Sequence, residues 1–145
     1  MCGIFGITGR DGETIQTLLK GLTKLEYRGY DSSGICISTP TGLSVERKAG
    51  MLDNLKQSIS GLREGRSGIA HNRWATHGPA TDLNAHPHCD PQNRVAVVHN
   101  GIIENEVQLR QTLIESGTEV CFSSETDTEL VAQVLASELD AECGD

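Results

Sequence analysis

The chain has 145 residues, room for one domain with a real core and not for two. Apolar residues make up 37% and charged residues 22%, an ordinary soluble composition, and with aromatics at only 3% the core has to be aliphatic. The formal net charge of −8 repels phosphate backbones and argues against a nucleic-acid partner; no apolar stretch is long enough to cross a membrane and no basic region precedes the apolar N-terminus, so a cytoplasmic protein is expected.

Residues 2–8, "CGIFGIT", read as a buried strand, and over 13–25 the spacing of Ile15, Leu18, Leu19, Leu22 and Leu25 predicts an amphipathic helix. "SGICIST" (33–39) and "LSVERKA" (43–49) are strand-like and flank the turn signal "PTG" (40–42), a hairpin pattern. Leu52, Leu55, Ile59 and Leu62 mark a second helix, and "SGIAHNRWA" (67–75) is another strand. The stretch 76–93 has three prolines, three histidines and no period, so it reads as a long loop, a kind usually functional or disordered. "RVAVVHNGII" (94–103) and "TEVCF" (118–122) are expected strands. Asn105 with Gln108 and Thr126 with Glu129 have capping-box spacing ahead of helices near 106–116 and from 127. Hairpins interleaved with helices point to an α+β fold with largely antiparallel sheets.

Five cysteines, an odd number with no C-x-x-C, argue against a disulfide framework and a zinc ribbon. Four of them read as ordinary thiols of a reducing compartment. Cys2 is different in position. A thiol attacks as thiolate, and a free cysteine titrates at about 8.5, so it needs a base. An N-terminal α-amine titrates at about 7.7–8.0 and can serve. Removal of Met1 would therefore give Cys2 both nucleophile and base.

Acyl transfer also needs donors for the carbonyl oxygen. In "HNGIIEN" (99–105), Asn100 has a side-chain amide and Gly101 an unobstructed backbone N–H, although the pair also reads as a plain Asn-Gly turn. A substrate with an amino-acid end needs two charge clamps. Arg73 in "RWATHG" (73–78) offers a planar fork for a carboxylate, with Thr76 and His77 close by in sequence. Asp127 in "SETDTE" (124–129) can hold an ammonium group, and would equally suit a helix N-terminus. His86, His88 and Cys89, with His71, His77 or His99, raise a metal question. Their tight spacing around a proline does not match common zinc motifs, so loop anchoring is the preferred reading and neither metal nor cofactor is expected.

"CGIFGI", "LEYRGYDSSGI", "HNRWATHG", "NAHPH", "VVHNGIIEN" and "SETDTE" occur in this order from residue 2 to residue 129. Together they resemble the glutaminase domain of class II, N-terminal nucleophile, glutamine amidotransferases. Within that class "YRGYDS", "RWATHG" with "NAHPH", and "SETDTE" are most similar to the aminotransferase branch that delivers ammonia to fructose 6-phosphate for glucosamine 6-phosphate synthesis. The phosphoribosyl amidotransferase and asparagine synthetase types, or an inactive glutamine-binding module, are the alternatives. The resemblance implies a four-layer αββα sandwich of two mainly antiparallel sheets. It implies hydrolysis of L-glutamine to glutamate and ammonia through a Cys2 thioester, with the Cys2 α-amine as base and Asn100 and Gly101 as the oxyanion hole. It further implies Arg73 on the glutamine carboxylate, Asp127 on its ammonium, and Trp74, Thr76 and His77 in the same pocket. His86 would belong to a loop network, and Arg28 to the surroundings of the nucleophile. Family glutaminase domains continue further and are followed by a sugar-phosphate isomerase portion. Residues 2–145 are therefore expected to be the N-terminal part of such a domain, incomplete at its C-terminal side, with the isomerase portion absent and a homodimer expected of the full-length enzyme.

Overall fold

The helical spacing seen at 13–25 becomes α1 (Thr14–Leu25), and Ile15, Leu18, Leu19 and Leu22 are its buried stripe. They pack with Leu52 and Leu55 of α2 (Leu52–Ser58) onto one face of a four-stranded sheet. That sheet is formed by β1 (Gly3–Ile7), β2 (Ser32–Thr39), β3 (Gly42–Ala49) and β4 (Ser67–Arg73). The structure, a computed structural model, describes residues 1–9, 12–75, 78–117 and 120–143.

The strand order is β1-β4-β2-β3 and every pairing is antiparallel. Phe5 pairs with Ala70 and Ala70 with Ile35, so these side chains share one face. Ile37 lies two residues further along the same face, and together they close the aliphatic core over α1 and α2. By the same alternation Ile4, His71 and Gly34 point to the opposite face. The sheet is thus apolar towards its helices and carries chemistry on its other side.

A second layer covers that other side. β5 (His88–Cys89) and β6 (Ala96–Val97) form a two-stranded antiparallel sheet. The approach is close: a Cβ at Gly34 would lie 2.2 Å from the His86 carbonyl oxygen, so β2 admits this layer only because residue 34 has no side chain. The Arg47 Nη1 of β3 also donates to the Pro87 carbonyl at 3.4 Å. α4 (Thr128–Cys143) packs against β5 and β6, and α3 (Glu106–Glu115) against α4. Helices, sheet, sheet and helix follow one another, as expected for an αββα arrangement.

Several elements differ from the sequence expectation. Of the predicted strand 94–103, only Ala96–Val97 is strand, because its partner has just two residues to pair with. The long loop 76–93 contains that partner, β5. Residues 120–122 are not strand, and 118–119 lie outside the described residues. The second helix ends at Ser58 and continues as a 3₁₀ turn, Ile59–Gly61. Asn105 caps α3 without a side-chain hydrogen bond. The Thr126–Glu129 box is replaced by a different arrangement: Thr126 Oγ1 bonds His88 Nε2 at 2.7 Å, while Glu129 accepts from Ser123 and Ser124. The buried histidine needed a partner, and it took the hydroxyl.

Candidate active site

Cys2 immediately precedes β1, and one step beyond the Gly3–Asn72 pair it meets the end of β4. There the Trp74 N–H donates to Cys2 Sγ at 3.2 Å, and Sγ lies 3.6 Å from the Trp74 carbonyl oxygen. Arg28 Nε donates to the Cys2 carbonyl at 3.2 Å, tying the Cys2 backbone to the "YRGYDS" segment. Met1 precedes Cys2 and is largely exposed.

Cys2, Arg73, Trp74, Asn100, Gly101 and Asp127 line one cavity, together with His71, His86, His99, Thr126 and Thr128. Six of the eight residues singled out in the sequence therefore converge. The other two, Thr76 and His77, lie outside the described residues.

Asn100 directs its amide Nδ2 at the Cys2 carbonyl, 3.3 Å away, and its Oδ1 accepts from His71 Nε2 at 2.8 Å. The nitrogen end of the amide thus faces the Cys2 backbone. At Gly101 a Cβ would come within 2.7 Å of His99 Nε2, so a side chain there would displace that ring. Arg73 is buried at the end of β4 and its Nη1 donates to the Pro79 carbonyl at 3.2 Å. Burial lowers its pKa from the usual arginine value, while the nearby Cys2, Asp31 and Asp127 oppose that shift. A buried cation facing this cavity is a strong site for a carboxylate.

Asp127 precedes α4, and its Oδ2 accepts the Ile103 N–H at 2.7 Å. That bond joins the start of α4 to the loop following Gly101. Burial works to raise the Glu129 carboxyl, but hydrogen bonds from the backbone and hydroxyl groups of Ser124 and Ser123 outweigh it and hold the group below its ordinary value. Asn84 ties this segment to the one below Arg73: its amide donates to Glu125 Oε2 and to the Pro79 carbonyl, and it accepts the Glu125 N–H.

Sequence reasoning grouped His71, His86, His88 and His99 as candidate ligands or loop anchors, but not as the stacked cluster they form behind the cavity. The rings of His71 and His86 stack at 4.4 Å, and His86 meets His88 edge-on at 4.6 Å. His86 Nδ1 accepts the His99 N–H at 3.3 Å. Burial pushes His71 and His88 down to about 4, with nearby Arg73 adding to it in both, and drives His86 lower still, so all three are neutral at cellular pH. His71 and His86 thus meet face to face and His86 and His88 edge to face, and among the described residues no group of three His, Cys, Asp or Glu is placed to hold a metal ion. One signal did point to His71: it lies two residues before Arg73 on a strand, hence on the same face.

Asp31 was missed too. It accepts the Ala75 N–H at 2.8 Å, and its own N–H donates to the Arg73 carbonyl at 3.1 Å, which secures the backbone carrying Arg73 and Trp74. Of the other thiols, Cys36 is buried, Cys89 half-buried and Cys121 exposed, all unbridged. The Cys36 and Cys89 thiols interact between the two sheets, which pushes Cys36 up and Cys89 down.

Comparison with known proteins bears on the family and the fold. The chain is 49% identical over 143 residues to glutamine–fructose-6-phosphate aminotransferase (isomerizing) of Fusobacterium nucleatum, covering 98% of this chain and 23% of that protein. It is 51% identical over 147 aligned positions to the protein of the same name from Streptomyces coelicolor, again over 23% of its length. The chain thus spans less than a quarter of the relatives it matches. Two solved structures are similar in fold. The glutamine phosphoribosylpyrophosphate amidotransferase of B. subtilis has a TM-score of 0.73 at 28% identity, covering 94% of this chain and 29% of that one. A structure described as the allosteric regulatory enzyme of purine biosynthesis has a TM-score of 0.75 at 30% identity, with the same coverage. A model of the glutamine amidotransferase domain matches residues 71–145, more than half of the chain, and the protein belongs to that family.

Proposed function

We propose that this chain hydrolyses L-glutamine through Cys2. The observation that carries the reading is the convergence of Cys2, the Asn100 amide, Arg73 and Asp127 on one cavity. Arg73 takes the substrate carboxylate and Asp127 its ammonium, Trp74 lines the same pocket, and the family resemblance assigns Thr76 and His77 to glutamine binding as well. This leaves the γ-amide carbon at Cys2 Sγ. With Met1 removed, the Cys2 α-amine accepts the thiol proton as sulfur attacks. The oxyanion is met by Asn100 Nδ2–H and the Gly101 N–H. The amine then returns the proton to the departing nitrogen, ammonia leaves, and a thioester remains. Water attacks the thioester, giving glutamate and the free thiol.

The ammonia is destined, in this reading, for fructose 6-phosphate. The support is identity near 50% to proteins named for that transfer. The acceptor site and the homodimer would belong to a longer polypeptide in the cytoplasm, for which residues 2–145 form the N-terminal part of the glutaminase domain.

An electrophilic glutamine analogue tests the reading. Intact mass should show loss of one methionine and one label, and peptide mapping should place that label on Cys2. Label on another cysteine, or none with glutamine hydrolysis intact, would overturn it. Phosphoribosylamine or asparagine formation in place of glucosamine 6-phosphate would move the chain to another acceptor branch.

A further inference from the structure

The oxyanion assignment depends on which end of the Asn100 amide faces Cys2. The two ends are nearly the same size, so shape alone does not choose between them. The Cys2 carbonyl in front of it does: that oxygen can only accept, and the amide end 3.3 Å from it must be the NH₂. His71 Nε2 lies 2.8 Å from Asn100 Oδ1, an atom that can only accept. Nε2 therefore carries the hydrogen, and Nδ1 is buried without a partner among the described residues. Rotating the amide by half a turn would set an NH₂ group against an N–H. It would also aim a carbonyl oxygen at the Cys2 carbonyl, which Nδ2 now contacts at 3.3 Å. Two repulsions would replace two hydrogen bonds.

The ring itself is held. His71 is 1% exposed on β4, and His86 stacks on it with an interplanar angle of 18°. His86 is anchored in turn by the His99 N–H, from the residue before Asn100. The donor that aims the amide and the chain that carries the amide are thus secured to one another.

We propose that His71 is a positioning residue which, as the Nε2–H tautomer, orients the Asn100 amide so that its N–H groups face the carbonyl under attack. This rests on Asn100 being an oxyanion donor, and predicts an effect on the transition state more than on glutamine binding. His71→Phe fills the site and removes the donor. His71→Gln offers an amide N–H at about the distance of Nε2.

The test compares His71→Phe, His71→Gln, Asn100→Ala and the His71→Phe/Asn100→Ala double variant with the parent chain, each checked for folding by its melt. His71→Phe should lower kcat about tenfold or more, short of the 10²–10³ expected for loss of the donor itself. KM should change by less than about threefold, and His71→Gln should restore most of the rate. In the Asn100→Ala background, His71→Phe should cost less than about twofold, since there is no amide left to orient. An undiminished cost in that background, or a His71→Gln variant as slow as His71→Phe, overturns the proposal. If Asn100→Ala itself leaves kcat unchanged, the oxyanion reading fails instead, and the two failures are distinct. A measurement independent of turnover is the ¹⁵N–¹H correlation spectrum of the parent histidines. It should show His71 protonated on Nε2 near neutral pH, and a proton on Nδ1 would overturn the proposal.

Discussion

The roles proposed for Asn100, Arg73 and Asp127 around Cys2 are separable, and kinetics can tell them apart. Asn100→Ala should lower kcat by roughly 10²–10³ with little change in KM, because the oxyanion exists only along the reaction path. Arg73→Lys should mainly raise KM, since a point charge cannot replace a bidentate fork. A change confined to KM in Asn100→Ala would return that residue to the role of an ordinary turn. A form retaining Met1 should hydrolyse glutamine far more slowly than one starting at Cys2, and equal rates would exclude the α-amine as base. These residues were legible because each is chemically conspicuous in its own short motif. His71, Asp31 and Asn84 were not, because they act on partners 29, 44 and 41 positions away in the chain.

At the scale of elements, the helices and the hairpin were readable because their signals are local: a 3.6-residue apolar period, or two strands either side of "PTG". What closes their ends was not local. The first N–H groups of α1, from Thr14 and Ile15, donate to Glu64 at 3.1 and 3.4 Å, and no side chain of its own N-cap contributes. At α4, Glu129 reaches back to Ser123 and Ser124 through four contacts of 2.6–2.8 Å. These bonds shape the turn that leads into Asp127. Glu129→Ala should cost about 2–3 kcal/mol in a urea melt, as loss of charged, buried hydrogen bonds does, and should also raise KM for glutamine. Because the folded carboxyl sits below its ordinary value, its contribution is present above the unfolded pKa and is lost as pH falls through the folded one. A melt identical to the parent's would show that the turn holds itself. The strand expected at 94–103 failed for the same reason in reverse: its apolar run is evident, but pairing needs a neighbour of equal length, and β5 offers two residues.

Across the whole molecule, the neutral histidines make folding sensitive to acid. His71 and His88 fall from 6.5 to about 4 in the folded chain, so between these values the unfolded chain binds more protons. Stability therefore rises with pH through that window and is fully present above it. From pH 7 to pH 5 the loss should be roughly 2 kcal/mol for each of the two. Arg73 and Arg47 face the cluster and deepen it, while Glu129 opposes them at His88. Urea midpoints measured at both pH values check this, and equal midpoints would mean the rings are hydrated. The α+β class was legible in the interleaving of hairpins with helices, while the stacked layers were implied only by the family resemblance. That the second layer would be lined with histidines was not legible, because each one looks polar in sequence and is buried only by the loop that folds over Gly34.

The antiparallel register of β1 with β4 has a consequence for how the chain can change. Cys2 reaches the cavity because it falls on the same side of the sheet as His71 and Arg73, and sidedness in a strand is a matter of odd and even. Inserting one residue between Cys2 and Gly3 would turn the thiol towards α1. Inserting two would restore the side and displace the sulfur by about 7 Å, beyond the reach of Asn100. This short segment can therefore exchange residues, Ile4 and Gly6 included, far more readily than it can gain or lose one. Its parity is part of the active site.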